Sequence, residues 1–306
     1  MVARYCAFGQ AEGWLSVFHI SSAGEDWQTG IPDLPLPAIP GHFPVMPSLL
    51  SLVDMNATML AMSLAVFLLA GFVKGVIGLG LPTVAVGLLS LVMPPVQAAA
   101  LLILPSMVTN GWQLATGGAF LMLAKRLWTL LAGVVTGTLA GAGFMRGDGG
   151  RHAIVVLGVA LMLYALAGLA AWTPTVLPQR ERWWSPVIGL ATGLVTAATG
   201  VFVIPVVPYL QALGLPRDQL IQALGLSFTV STLALAVNLG QGGAFSAGVG
   251  WASLIVLVPA LLGMAIGTRV RTWVRPATFR RCFFIGLLLL GVHLAWHLVD
   301  LTGAAR

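Results

Sequence analysis

Apolar runs follow one another along most of this chain, separated by short polar or Pro/Gly breaks. In the first part they are Met59–Lys74, Val76–Met93, Gln97–Ala115, Leu127–Phe144 and Ala153–Trp172; in the second, Pro186–Gly200, Val201–Leu213, Gln219–Leu239, Trp251–Thr268 and Arg281–Val299. A helix needs roughly 20 apolar residues to cross the hydrocarbon core, and most runs approach that length. Strand-like alternation, the mark of a transmembrane barrel, is missing. The pattern predicts an all-α polytopic membrane protein of 8–10 segments. The first two segments of each part are short, so each pair is either two crossings or one re-entrant hairpin. Trp128, Trp172, Trp183, Trp184, Trp251 and Trp273 fall at or near segment ends, where amphipathic rings prefer the headgroup level.

One stretch departs from this pattern. Gly71-Phe72-Val73-Lys74-Gly75-Val76-Ile77-Gly78-Leu79-Gly80-Leu81-Pro82-Thr83 lies inside the run from Met59 to Met93 and holds four glycines, a proline and a lysine. Broken backbone survives at membrane depth only where protein or a water-filled cavity satisfies its freed N–H and C=O groups. A charge at that depth is costly and marks a pathway or binding site by default. A Gly-rich packing helix whose lysine snorkels to the interface is the plainer reading.

Composition removes most other classes. Hydrophobic residues make up 58% of the 306 residues and charged ones 8%, against roughly a quarter charged in soluble domains. Mean hydropathy is +0.96. Cys6 and Cys282 are far apart and have no metal spacing. The net charge of +6 is no nucleic-acid signal, because most bases sit in short loops, where they set topology. Residues 1–54 differ: five acids, one base and a proline-rich Ile31–Pro47. They read as a disordered or extended leader, or as sequence ahead of a true start at Met46, Met55 or Met59.

The chain also repeats itself. A shift of 122 positions sets Gly71 on Gly193, Val73 on Val195, Gly78 on Gly200, Pro94 on Pro216 and Gln97 on Gln219; a shift of 125 sets Gly117–Phe120 on Gly242–Phe245. Residues 55–172 and 185–300 thus read as two transmembrane repeats joined by a hydrophilic linker, 173–184. With five passes each, they are inverted repeats. Ten bases, Lys125, Arg126, Arg180, Arg182, Arg217, Arg269, Arg271, Arg275, Arg280 and Arg281, then fall on one side and three, Arg146, Arg151 and Arg306, on the other. The positive-inside rule makes the ten-base side cytoplasmic. Interrupted segments at matching positions of two repeats are the best sequence pointer to a transport site; here they are Gly71–Pro82 and Gly193–Pro208.

No acid falls in mid-segment, which argues against a buried carboxylate relay. The candidate ligands are Lys74 with Gly75, Gly78, Gly80 and Thr83 of the broken stretch. Ser106, Thr109, Asn110 and Gln113 share one helix face. The second half contributes Thr196, Thr199, Ser227 and Ser231. Half-helix N-termini would add backbone donors. One cation, many donors and no carboxylate suit a small anion; the bland alternative is that the hydroxyls and amides glue helices together. His293 and His297 lack a third metal ligand and fit an interfacial role. No cofactor, metal or nucleic acid is expected. The expected partners are a small anion and the lipid bilayer, with homo-oligomerisation left open. An intramembrane enzyme or assembly factor, or an anion channel, is the alternative.

Phe72–Gly80, Met93–Ala100, Pro105–Asn110, Gly193–Gly200 and Leu215–Asp218 together resemble the TauE/SafE family of sulfite exporters, over about residues 59–299. That resemblance implies a multi-pass permease of the bacterial inner membrane, moving sulfite, sulfoacetate or other organosulfur or carboxylate anions, often outward. An anion leaving a cell that is negative inside gains about 2.3 kcal/mol per charge per 100 mV. Thr196 stands where the repeat would place a second Lys74.

Overall fold

Gly78 ends the first membrane helix one turn after Lys74. Its left-handed φ of 81° turns the chain out of the helix, and its N–H closes on the Lys74 carbonyl at 2.7 Å. The computed structural model describes residues 56–115, 118–145, 149–170, 175–273 and 276–303, excepting the side chains of 149–151, 178, 276 and 297–303. Residues 1–54, the start of the linker and the His297 side chain lie outside the described residues.

Ten helices make up the described chain: α1 (Ala57–Ile77), α2 (Leu81–Leu89), α3 (Pro95–Ala115), α4 (Phe120–Ala140), α5 (Gly149–Leu169), α6 (Pro178–Thr199), α7 (Val206–Ala212), α8 (Arg217–Gln241), α9 (Ala247–Val270) and α10 (Pro276–Gly303). Seven are long and apolar enough to cross a membrane. α6 is also of spanning length, but Arg180, Glu181 and Arg182 in its first turns dilute its hydropathy.

The boundaries amend the expected hairpins. α1 and α6 are full-length helices of 21 and 22 residues; α2 and α7 are pieces of 9 and 7 residues. Lys74 does not end α1, because its ammonium finds partners beside the helix. α6 starts at Pro178, inside the stretch read as a linker, and Lys125 and Arg126 lie in the second turn of α4 rather than in a break.

Four glycine pairs set the packing. A Cβ on Gly71 would stand 2.0 Å from the Ala260 carbonyl oxygen, and one on Gly75 2.3 Å from that of Met264; Gly263 and Gly267 of α9 face Leu68 and Phe72 equally closely. Gly133 and Gly137 of α4 meet Gly189 and Gly193 of α6 in the same way. Each helix carries a Gly-x-x-x-Gly, the spacing that lets membrane helices approach backbone to backbone. Rising numbers meet rising numbers, so α1 runs parallel to α9 and α4 parallel to α6. Gly225 of α8 abuts Gln113 of α3, whereas Asn110 bonds to Thr232, so α3 and α8 run antiparallel. α5 and α10 are antiparallel too, with Gly158 against Gly291 and Gly168 against Phe284.

α3 and α8 are the most buried of the apolar helices. Pro105 interrupts α3 and, lacking an N–H, leaves the Leu101 carbonyl unpaired in its helix. Ser253 of α9 donates to that oxygen at 2.9 Å. Outward, Leu69, Leu121, Trp128, Leu163, Val258, Leu262 and Leu289 are exposed, an apolar skin suited to lipid rather than water.

Candidate functional site

Lys74 is 3% exposed. Its ammonium donates to Thr109 Oγ1 at 2.9 Å and to Asn110 Oδ1. Thr109 in turn donates to the Pro105 carbonyl at 2.7 Å, and Asn110 Nδ2 donates to Thr232 Oγ1 at 3.4 Å. The lysine of α1 is thus held by α3, and α3 is tied through the same amide to α8. No carboxylate among the described residues stands within ion-pair distance of Lys74. The described residues give the buried ammonium neutral oxygens and no counter-charge.

Lys74 lines a cavity of about 650 Å³. Its wall includes Gly75, Gly78 and Gln113, whose Nε2 donates to the Gly78 carbonyl at 2.6 Å and so satisfies the broken end of α1. Trp112, Leu224 and Phe284 give it apolar surface, and Arg217, Arg271 and Arg280 stand in the same lining. Every charged residue of the lining is a cation. A second cavity, of about 410 Å³, contains Gln97, Leu101, Asn238 and Ser246 and no charged residue. It takes the start of α3 and the end of α8, whereas the first takes the end of α3 and the start of α8. The two therefore lie at opposite ends of the central antiparallel pair.

The sequence candidates divide accordingly. Lys74, Gly75, Gly78 and Gln113 line the cationic cavity, and Thr109 and Asn110 hold the lysine. Ser106, Ser227 and Ser231 are buried on α3 and α8 between the residues that line the two cavities, and no described protein group bonds their hydroxyls. Gly80, at φ 108°, starts α2 against Val73 and Phe283, and Thr83 donates to its carbonyl at 2.9 Å. Thr196 donates to Thr192 O at 2.7 Å; Thr199 donates to Val195 O and accepts from Val201 N, capping the break in the second half. These four line neither cavity.

Sequence reasoning missed Tyr164, Gln211 and the three arginines of the cavity wall. The arginines were visible only as charges between apolar runs, and nothing in the sequence says that the ends of α8, α9 and α10 converge. Among the described residues no group of three or more His, Cys, Asp or Glu side chains is placed to hold a metal.

A helical membrane protein with broken segments in both halves, and a buried cation in a cavity beside one break, has the build of a solute transporter. The family model described as sulfite exporter TauE/SafE matches residues 63–294, and the chain belongs to that family. No curated protein and no solved structure matches it.

Proposed function

We propose that the chain is a permease that exports a small anion, such as sulfite, an organosulfonate or a carboxylate, across the bacterial plasma membrane. The observation that carries this reading is Lys74, a buried ammonium without a carboxylate partner among the described residues, in a cavity whose charged lining is entirely cationic. An uncompensated charge at membrane depth costs several kcal/mol, and a bound anion removes that cost.

The route follows the central pair. The cationic cavity is built from the helix ends that carry most of the basic residues, which the positive-inside rule assigns to the cytoplasm. Anions would load there, meet Lys74, and pass Ser106, Ser227 and Ser231 to the uncharged cavity at the other end. The antiparallel contacts of α3 with α8 and of α5 with α10 support an inverted repeat, the architecture in which one half rocks against the other around a midplane site. Neutral hydroxyls in mid-path would let the anion leave, since a second deep cation would trap it.

Flux of labelled sulfite and a panel of sulfonates and carboxylates into proteoliposomes tests the reading. Saturable flux of at least one anion, lost in Lys74→Met, is expected. Absence of flux for the whole panel, or flux unaffected by that substitution, would refute it.

A further inference from the structure

We propose that Arg217, Arg271 and Arg280 form a second oxyanion site at the mouth of the cationic cavity, separate from Lys74, and that this outer site loads the inner one. The proposal rests on the reading of that cavity as the entrance to the transport path.

Three separate elements bring these side chains together. Arg217 opens α8, Arg271 caps the end of α9, and Arg280 lies in the second turn of α10. All three line the cavity that holds Lys74. Topology alone would ask only that basic residues lie on one side of the membrane; it does not ask that three helix ends bring them into the lining of one opening. Nor are they neutralised. None of the three has a hydrogen bond or ion pair to any described residue, and the lining contains no acid. Arg126 shows the contrast: Glu181 takes its guanidinium in a two-pronged bond at 2.9 and 2.8 Å.

Exposure and chemistry separate the outer group from Lys74. Arg217 and Arg280 are exposed and Arg271 is half-buried, whereas Lys74 is sealed. A guanidinium offers a planar fork of donors that matches sulfonate, phosphate or carboxylate oxygens; an ammonium is a compact point charge. The inner ammonium already spends bonds on Thr109 and Asn110. A cavity of about 650 Å³ exceeds what one small oxyanion fills, so both sites can be occupied together. Like charges focused in a concave, low-dielectric mouth raise the local anion concentration and the rate of capture. The outer site thus governs capture, and the inner site governs commitment to transport.

The shared ligand chemistry is an oxyanion, either free in the cytoplasm or carried on a phospholipid headgroup. The test is calorimetric titration of the purified full chain with methanesulfonate, in nanodiscs of phosphatidylcholine alone and with phosphatidylglycerol added. Each is run for the wild type, the triple variant R217Q/R271Q/R280Q and Lys74→Gln. Arg269, Arg275 and Arg281 remain in the triple variant to hold the topology, and its melting temperature checks its folding. The wild type should bind two anions. The triple variant should lose the weaker, salt-sensitive event and keep the other, and Lys74→Gln should do the reverse. In flux assays the triple variant should raise KM about tenfold with maximal rate retained, each tenfold being 1.4 kcal/mol of binding.

Two events in the triple variant, or an unchanged KM, would overturn the proposal. Loss of the outer event on adding phosphatidylglycerol would assign the arginines to a lipid headgroup and overturn their loading role. Wild-type flux in Lys74→Gln would instead overturn the transport reading of Lys74, whatever the arginine variant does.

Discussion

At Lys74 two requirements conflict. A bilayer-depth ammonium should be paired with a carboxylate or replaced by an apolar residue, yet its protein partners are the neutral oxygens of Thr109 and Asn110. A residue retained against that cost is more easily explained by a ligand than by packing. Lys74→Met keeps the length and removes the buried charge, but leaves the Asn110 Oδ1 acceptor without its donor. The unpaired charge is the larger cost, so the melting temperature of the purified protein should rise while anion binding is abolished. A lower melting temperature together with retained binding would mean that the lysine is structural. Asn110→Ala acts on the same network from α3. It removes one acceptor from the ammonium and the link to Thr232, so it should weaken binding without eliminating it, as read by titration with sulfite.

Among the helices, the close contacts are backbone to backbone, and their cost on substitution is steric. Gly75→Leu would drive a side chain into the Met264 carbonyl. Overpacking of this kind costs about 1–3 kcal/mol, read as a lower unfolding temperature in detergent. Gly111, with nothing within 4 Å of a Cβ, should accept alanine with little change. Ser253→Ala leaves the carbonyl of Leu101 without its donor and should cost about 1–3 kcal/mol, with transport retained in the folded fraction.

The same contacts explain what the sequence made legible. The polar face of α3 was readable because Ser106, Thr109, Asn110 and Gln113 recur at helical spacing inside an apolar run, and the structure puts two of them on Lys74. The full length of α1 was not readable, because a charge followed by glycine looks like an end until Thr109 and Asn110 are seen beside it. The Gly-x-x-x-Gly pairs were hidden for another reason. Hydropathy averages every residue of a window whichever way it faces, so it does not separate a packing glycine from any other. The shift of 122 was also incomplete. Packing equates Gly75 with Gly193, each wedged under the carbonyl of its partner helix, whereas the breaks equate Gly78 with Gly200. α6 carries one extra turn between its packing glycine and its break. The counterpart of Lys74 is Thr192 in one frame and Thr196 in the other, and each hydroxyl is spent on its own helix backbone.

For the whole molecule, two cavities of unlike charge lie at opposite ends of α3 and α8. With the cationic one facing the cytoplasm, a cysteine replacing Thr268 in its wall should react with a membrane-impermeant thiol reagent in inside-out vesicles. A cysteine replacing Gln97 should react in right-side-out cells. Cys6 and the exposed Cys282 are first changed to serine. Reversed reactivity would invert the orientation and, with it, the direction of loading. Which basic residues belong to a cavity could not be read from the chain, because the convergence of three helix ends is a property of packing.

The most direct test of the central claim is equilibrium binding of sulfite to the purified wild type and to Lys74→Met, each confirmed folded by its melting curve. We expect saturable binding to the wild type and a loss of at least about tenfold in the variant, the least that removing a charge-assisted bond should produce. Equal affinity in the two proteins would contradict the claim that the ammonium of Lys74 holds the transported anion.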